Sequence, residues 1–133
     1  MFNSKFLKLP KIVDQRGNLT FLQYPQQVPF EIKRVFWTYN ALGGKIRGGH
    51  AFIIQEEVIV SLSGSFDVVI IDFHGNHERI HLNRSFEALY LPPKTWRYLE
   101  NFSKNAVSLH LLNGFYDEND YVNNFEEFSK LNL

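Results

Sequence analysis

The segment 47–64 carries the residue best suited to acid–base chemistry in this chain, His50. It opens with Arg-Gly-Gly-His, continues as the strand-like run QEEVIVSL and ends at a Ser-Gly turn. An imidazole exchanges protons near neutral pH, and Gly48 and Gly49 would let a ligand approach the backbone. A lone histidine on a strand is also commonly a structural hydrogen-bonding residue, so proton transfer by His50 is a hypothesis that the surrounding elements must support.

Short β-branched and aromatic runs separated by turn residues predict about ten strands and an all-β fold. The expected strands cover residues 5–9, 19–24, 32–39, 48–54, 57–62, 66–72, 78–82, 88–91, 96–101 and 106–112. Strands of this number and spacing are typical of a double-sheet jelly roll or barrel. After Gly114, Tyr121, Phe125 and Phe128 recur at helical spacing behind the acidic segment 117–120, which predicts one short C-terminal helix.

Alternation within the strands separates buried from solvated faces. The strand 66–72 (FDVVIID) is almost continuously apolar, so both of its faces should be buried, for instance by a second subunit over the outer one. The next strand alternates more cleanly, so Ile80 and Leu82 should face inward while Arg79 and His81 face outward.

Composition limits the chain to one globular domain, residues 1–133, and excludes several classes of partner. At 44% hydrophobic and 21% charged residues, 133 residues suffice for one core and are too few for two. The 14 basic and 14 acidic residues cancel, which excludes a general nucleic-acid or membrane-surface role. No apolar run approaches a membrane span, no export signal is recognisable and cysteine is absent, which together favour the cytoplasm.

The chain also resembles the frame of the metal-binding cupin pattern, with most of the metal ligands replaced. His50 and Glu56 fall close to the first half of that pattern, and residues 91–97 overlie the second half. Phe52 stands where the second histidine would be, and Arg97 where the last would be. A Zn²⁺, Fe²⁺ or Mn²⁺ site needs three or four converging donors, and a guanidinium repels a cation. The sequence therefore predicts no catalytic metal.

A co-linear set of short motifs resembles the sugar nucleotide 3,4-ketoisomerases, which act on dTDP-4-keto-6-deoxyglucose. The motifs are 14–19 (DQRGNL), 29–35 (PFEIKRV), 47–51 (RGGHA), 62–65 (LSGS), 89–90 (LY), Trp96 and 116–121 (YDENDY). The resemblance implies a cupin-type jelly roll without metal or cofactor that forms a homodimer with swapped strands. It further implies an isomerase that interconverts the 4-keto and 3-keto forms of a dTDP-linked 6-deoxyhexose through an enediol. Such enzymes feed deoxyamino-sugar pathways for surface polysaccharides or glycosylated natural products.

The chain departs from this family at one important position. The family commonly reads Arg-Gly-x-His-Ala-His with both imidazoles in the active site, and here the second is Phe52. Phenylalanine carries no exchangeable ring proton, so one histidine suffices, another residue substitutes, or the reaction differs. By alternation, His110 shares a face with Ser108 and Leu112 that could point into the barrel, which makes it a candidate substitute.

The implied reaction assigns roles to a defined set of residues. His50 would be the base or proton shuttle, Tyr39 a second proton carrier, and Glu56 either an orienting group for His50 or a strand cap. The diphosphate needs cations, preferably guanidinium forks, for which Arg16 and Arg47 are the first choices. Further substrate contacts are expected from arginines and stacking tryptophans: Arg34, Arg97, Trp37 and Trp96.

Two other interpretations remain open on the sequence alone. One is a nucleotide-sugar epimerase that works through a similar enolate, with His50 as base and a tyrosine as acid. The other is a non-catalytic sugar-nucleotide-binding cupin, which Phe52 would favour. The presence of His50 together with four candidate anion-binding arginines argues against complete loss of activity.

Overall fold

The computed structural model describes residues 4–72 and 74–131, which build two antiparallel sheets packed face to face. In chain order the strands are β1 (Lys5–Lys8), β2 (Lys11–Ile12), β3 (Leu19–Thr20), β4 (Arg34–Thr38), β5 (Arg47–Phe52), β6 (Glu57–Ser63), β7 (Phe66–Ile71), β8 (His77–Leu82), β9 (Glu87–Leu91), β10 (Trp96–Glu100), β11 (Val107–Leu112) and β12 (Tyr121–Val122). The first sheet has the order β1-β9-β6-β11-β4 and the second β12-β5-β10-β7-β8, while β2 pairs with β3 alone. This architecture confirms the predicted all-β double-sheet jelly roll.

Between the two sheets, the side formed by β6 to β9 is filled by apolar side chains. Most come from alternate strand positions, two come from the β10–β11 connection, and all are almost completely buried: Ile59, Phe66, Val68, Ile70, Leu82, Leu89, Leu91, Leu99, Phe102 and Ala106. Each fully buried aliphatic or aromatic side chain of this kind contributes about 1.5–3 kcal/mol. We call this part of the interior the apolar side.

Part of the outer face of each sheet is covered by segments of the same chain. Val28 and Phe30 pack over Val58 and Val60 on the first sheet. On the second sheet, the outward-facing residues of β7 and β10 are covered by the C-terminal segment, in a cluster formed by Ala51, Val69, Ile71, Trp96, Val122 and Phe128. Strand β7 is buried along its whole length, as predicted. Its outer cover comes from the chain's own C-terminus, however, and the suggestion of a second subunit at that place was wrong.

Strand β8 follows the predicted alternation. Leu82 is buried and Ile80 packs against the apolar side, whereas Arg79 and His81 expose about half of their side chains. Arg79 and His81 both bind the carboxylate of Asp67 on β7. The period of two therefore identified the faces of this strand correctly.

The C-terminal helix is present but shorter than the aromatic spacing predicts. Helix α1 spans Phe125–Ser129, and its N-cap is the side chain of Asn124. Tyr121 lies instead in β12, because the buried carboxylate of Asp120 accepts the backbone N–H groups of Ile54 and Gln55 at 2.7 and 3.2 Å. These bonds hold the chain in an extended conformation beside β5. Among the described residues, no helix is long and apolar enough to cross a membrane.

Two further differences concern short elements near the N-terminus. The predicted strand 19–24 ends at Thr20, because residues 23–28 form a turn in which the Gln23 carbonyl accepts the N–H groups of Gln27 and Val28. Strand β2 was not predicted, since a strand of two residues is too short to show a period.

Candidate active site

The opposite part of the interior, between β4–β11 and β5–β10, encloses a cavity of about 150 Å³ lined by polar and aromatic groups. We call it the polar side. The lining residues come from five strands and are Phe36, Thr38, Arg47, Gly48, His50, Arg97, Leu99, His110 and Tyr121. Its chemistry rests on two histidines and one arginine that sequence analysis had named. The structure brings these three together from three different strands.

His50 lies in β5 opposite Arg97 in β10 and is only 8% exposed. Its Nδ1 is 3.5 Å from Arg97 Nη1, and its buried Nε2 has no hydrogen-bond partner among the residues that the structure describes. The ring packs against Phe52 and Tyr121, with centroids 4.8 and 4.9 Å away. Burial, followed by the charge of Arg97, lowers the pKa of His50 to about 3. The imidazole is therefore neutral near physiological pH and able to accept a proton.

Arg97 is a fully buried cation held by a two-pronged ion pair. Its Nε and Nη2 donate to the two carboxylate oxygens of Glu57 at 3.0 and 2.7 Å. Its Nη1 donates to the carbonyl of Gly48. Gly48 has φ +70°, and a Cβ at this position would overlap Arg97 Nη1. Gly48 is thus needed to admit the guanidinium, which differs from the expected close approach of a ligand to its backbone.

His110 occupies the far side of the same network. Its Nδ1 is 2.8 Å from Glu57 Oε2 and its Nε2 is 2.9 Å from the Ser108 hydroxyl. The ring stacks on Phe36 at 4.4 Å with an interplanar angle of 8°. Burial lowers the pKa of His110, and Glu57 opposes that shift only in part. The prediction that Ser108 and His110 face the interior is confirmed.

The carboxylate that organises this site is Glu57, which sequence analysis missed in favour of its neighbour Glu56. Burial alone would raise the pKa of Glu57, but Arg97 and the hydrogen bond from His110 hold it well below its usual range. The carboxylate of Glu56 does not bind His50; it accepts hydrogen bonds from the Tyr90 hydroxyl at 2.6 Å and from the Asn113 amide at 2.8 Å. The expected orienting role of Glu56 is therefore corrected to a structural one.

Trp96 and Arg97 were both proposed to contact substrate, yet consecutive strand residues face opposite sides of a sheet. Arg97 points into the cavity, whereas Trp96 packs on the outer face between Phe125 and Phe128, at centroid distances of 5.3 and 5.7 Å. The structure therefore gives Trp96 a packing role beneath α1 in place of the proposed stacking role.

A larger groove adjoins the cavity and shares Thr38 and Arg47 with it. The groove has a volume of about 490 Å³ and contains four more polar or aromatic groups, Trp37, Tyr39, Asn40 and Lys45. Tyr39 and Trp37 are more than half exposed at this surface. Tyr39, proposed as a proton carrier, thus lies at the mouth of the site and not beside His50 in the cavity. Lys45 was not singled out from the sequence.

The two remaining arginines lie outside the cavity lining. Arg34 is partly buried behind Phe52, where its Nη2 donates to Gln55 at 3.3 Å and its guanidinium lies 5.9 Å from the Phe52 ring. Arg16 lies at the β2–β3 turn, 90% exposed, and forms a 2.9 Å ion pair with Asp14. In a single chain, Arg16 lines neither the cavity nor the groove.

The positions that correspond to cupin metal ligands hold groups of a different kind. Phe52 packs edge-on against His50, and Arg97 occupies the third position as a cation. Across residues 4–72 and 74–131, no three His, Asp or Glu side chains group together as metal ligands would.

Comparison with known proteins identifies the family. A model of the FdtA family, described as WxcM-like, C-terminal, matches residues 2–132. The chain belongs to this family. A relative from Aneurinibacillus thermoaerophilus, TDP-4-oxo-6-deoxy-alpha-D-glucose-3,4-oxoisomerase, is 35% identical over 128 residues, which cover 96% of this chain and 91% of the relative.

Solved structures of the family share the whole fold. A 3,4-ketoisomerase from Helicobacter canadensis superposes with a TM-score of 0.94 at 34% identity, covering 98% of both chains. QdtA, a sugar 3,4-ketoisomerase from Thermoanaerobacterium thermosaccharolyticum solved in complex with TDP, superposes with a TM-score of 0.95 at 29% identity. That match covers 98% of this chain and 95% of QdtA. The cupin-type fold and the family resemblance drawn from the motifs are both confirmed.

Proposed function

We propose that this FdtA-family chain is a sugar nucleotide 3,4-ketoisomerase that converts a dTDP-linked 4-keto-6-deoxyhexose into its 3-keto isomer. The observation that carries the proposal is His50, a neutral buried imidazole whose Nε2 is unpaired at a cavity, in a chain whose full-length relatives bear this activity. Binding of dTDP is supported by the relative QdtA, which was solved with TDP.

In the proposed reaction, His50 removes the C3 proton, which the neighbouring ketone acidifies. A base must be unprotonated to act, and the low pKa of His50 keeps it so. The resulting imidazolium lies in a buried site beside Arg97, where positive charge is disfavoured, so return of the proton to C4 is favourable. One imidazole can therefore serve as base and then as acid at the two carbons.

The nucleotide would lie outside the cavity. A cavity of about 150 Å³ is below the usual range of about 300–1,000 Å³ for small-molecule sites, whereas the adjoining groove of about 490 Å³ falls within it. We place the hexose in the cavity and the diphosphate at its mouth, where Arg47 and Lys45 supply positive charge. Trp37 and Tyr39 offer aromatic faces to the nucleoside in the same groove.

The deciding experiment follows dTDP-4-keto-6-deoxyglucose by proton NMR in D₂O with the wild-type protein and with His50→Asn. We expect deuterium at C3 or C4 and a new 3-keto species with the wild type, and neither with the variant. The variant should still bind dTDP, because His50 contributes proton transfer and not nucleotide contacts. Tight binding of dTDP without exchange at any carbon would contradict the proposal and favour a binding module. Inversion at a ring carbon without a 3-keto product would favour an epimerase.

We further propose that the protein is a homodimer and that the second copy covers the outer face of β4. This edge strand exposes Val35 and Trp37, and with Leu62 they line an apolar concavity of about 810 Å³. Sheet edges and apolar patches of this kind are usually covered in native proteins. Sedimentation equilibrium should give twice the chain mass at micromolar concentration, and Val35→Glu, which lies outside the nucleotide groove, should yield monomers. A wild type that sediments as a monomer contradicts this assembly.

A further inference from the structure

We propose that His110 is a second proton carrier of this site, that it serves the substrate oxygens while His50 serves the carbons, and that Glu57 positions it. This inference rests on the ketoisomerase function proposed above and adds a residue from a strand that carries none of the named motifs. Because Phe52 replaces the family's second histidine, β5 supplies only one imidazole, and His110 would supply the second from β11.

The chemistry requires movement of two protons. When a carbonyl moves from C4 to C3, one proton leaves C3 and one arrives at C4, and one proton leaves the C3 hydroxyl and one arrives at the former C4 carbonyl oxygen. Loss of the C3 proton and protonation of the C4 carbonyl oxygen give the enediol, and loss of the C3 hydroxyl proton with protonation of C4 then gives the ketone on C3. Atoms and electrons balance within the substrate, and each protein group ends in its starting protonation state.

The geometry provides two carriers on opposite walls. His50 projects from β5 of the second sheet and His110 from β11 of the first, and both line the same cavity between the sheets. A ring bound between them would therefore meet one imidazole on each side. This separation suits a reaction in which the carbons and the oxygens exchange protons with different groups.

Glu57 holds His110 in the tautomer that a proton carrier needs, with the proton on Nδ1. Because a carboxylate only accepts hydrogen bonds, the 2.8 Å contact fixes the proton of neutral His110 on Nδ1 and leaves a lone pair on Nε2. The Ser108 hydroxyl, 2.9 Å away, donates to that lone pair and can rotate to release it. Stacking on Phe36 fixes the plane of the ring. A carboxylate behind Nδ1 also stabilises the imidazolium that forms when Nε2 takes a proton.

The groups around His110 are otherwise arranged to keep the local charge balanced. Arg97 and Glu57 form a buried pair of zero net charge, and the pKa of His110 is lowered by burial. His110 is therefore neutral before the reaction and can accept the hydroxyl proton. The competing interpretation is that His110 only completes the hydrogen bonds of Glu57 and so holds Arg97 in place.

The test uses His110→Asn, whose amide can still donate to Glu57 but cannot carry a proton, with His77→Asn on exposed β8 as the matched control. Both variants are followed by NMR in D₂O with the dTDP-linked 4-keto sugar, and dTDP affinity is measured by calorimetry. We expect 3-keto product formation to fall by about 100-fold or more in His110→Asn. Deuterium entry at C3 and dTDP affinity should stay within about threefold of the wild type, since the work of His50 is intact. The His77→Asn control should match the wild type.

Two results would overturn the inference. One is product formation by His110→Asn within about threefold of the wild type. The other is a parallel loss of C3 exchange and of isomerisation, which would indicate a purely structural role. If His110→Asn does not fold, His110→Gln, whose amide reaches Ser108 instead, gives the same comparison. A wild type that neither exchanges nor isomerises removes the proposed function itself, whereas an active wild type with equally active His110 variants removes only the role of His110.

Discussion

The two sides of the sandwich interior meet at strand β6 and differ in the kind of group that they bury. On the apolar side, Ile59 and Leu89 are paired neighbours on β6 and β9 that are surrounded by apolar side chains and need no partner beyond close packing. On the polar side, Glu57 is only two residues before Ile59 on the same face of β6, yet it is a buried charge that is tolerated only because Arg97 and His110 bind it. One strand thus carries both a core residue and the organising group of the site.

The difference shows that the functional groups lie in the part of the interior that contributes less to the stability of the fold. Burying an ion pair is weakly favourable at best, whereas apolar residues of similar volume would stabilise the same space more. On the polar side, the free energy of unfolding should therefore fall strongly when either Glu57 or Arg97 is replaced alone, and much less when both are replaced by apolar residues. On the apolar side, it should depend only on how much side-chain volume is removed. Four measurements sharpen or break this comparison.

The largest effect is expected for Glu57→Leu, which leaves the Arg97 guanidinium buried without its carboxylate. The free energy of unfolding should fall by about 3–5 kcal/mol. In the double variant Glu57→Leu/Arg97→Met most of that loss should be recovered, although the protein would be inactive. Urea unfolding of the three proteins measures both values. A double variant as unstable as the single one would show that packing, and not the unpaired charge, is the cause.

A somewhat smaller effect is expected from Leu89→Ala on the apolar side. Removal of this buried side chain should lower the free energy of unfolding by about 3 kcal/mol through lost burial and the remaining void. Because Leu89 does not line the cavity, kcat measured well below Tm should stay within about twofold of the wild type. A tenfold loss of kcat in a folded variant would mean that the two sides are coupled.

The pH dependence of stability should arise on the polar side. The pKa values of His50 and His110 are lowered in the folded state from the ordinary histidine value of about 6.5, so the unfolded state binds more protons below that pH. Stability is therefore highest above about pH 6.5 and falls as the pH drops further, by about 1.4 kcal/mol per pH unit for His50, with His110 contributing in the same direction. Below about pH 4.5 the lowered pKa of Glu57 adds to the loss.

Urea unfolding at pH 7.5, 6.0 and 5.0 measures this slope. His50→Asn should reduce the slope of the free energy of unfolding against pH by the contribution of His50. His77→Asn, at an exposed position, should leave the slope unchanged. A slope that persists in full after substitution of His50 would contradict a buried neutral imidazole at that position.

The smallest effect is expected for Tyr90→Phe, which removes the hydrogen bond from the Tyr90 hydroxyl to Glu56 outside the cavity. The free energy of unfolding should fall by about 1 kcal/mol, and kcat should not change, because neither residue lines the cavity. Thermal unfolding and the isomerase assay measure the two quantities. A clear drop in kcat would contradict the structural role of Glu56 and indicate that it takes part in the reaction.

Much of the fold could be predicted because period-two alternation and turn residues are local signals. They identified nearly all of the long strands, the inward face of β8 and the interior position of His110. The choice between Glu56 and Glu57 failed because a motif fixes spacing only to within a residue, while a strand reverses its face at every residue. The alternation Glu57, Ile59, Ser61 was available and would have identified the correct carboxylate.

Other errors came from contacts between distant parts of the chain. Phe128 packs over Trp96, and the Asp120 carboxylate binds the backbone of Ile54. These residues are far apart in the sequence, so no local pattern relates them. The groove beside the cavity, with Lys45 at its wall, likewise depends on how a loop folds back on β4. Such features follow from tertiary packing and become visible only in the structure.

The anchoring of Asp120 by Ile54 and Gln55 also determines how the cavity is closed. Tyr121, which forms one wall of the cavity, follows Asp120 directly and is held in place by that anchor. The two backbone N–H groups that bind Asp120 belong to the segment between β5 and β6, the strands that carry His50 and Glu57. The segment that closes the cavity is therefore attached to the same part of the chain that supplies the imidazole and the carboxylate of the site.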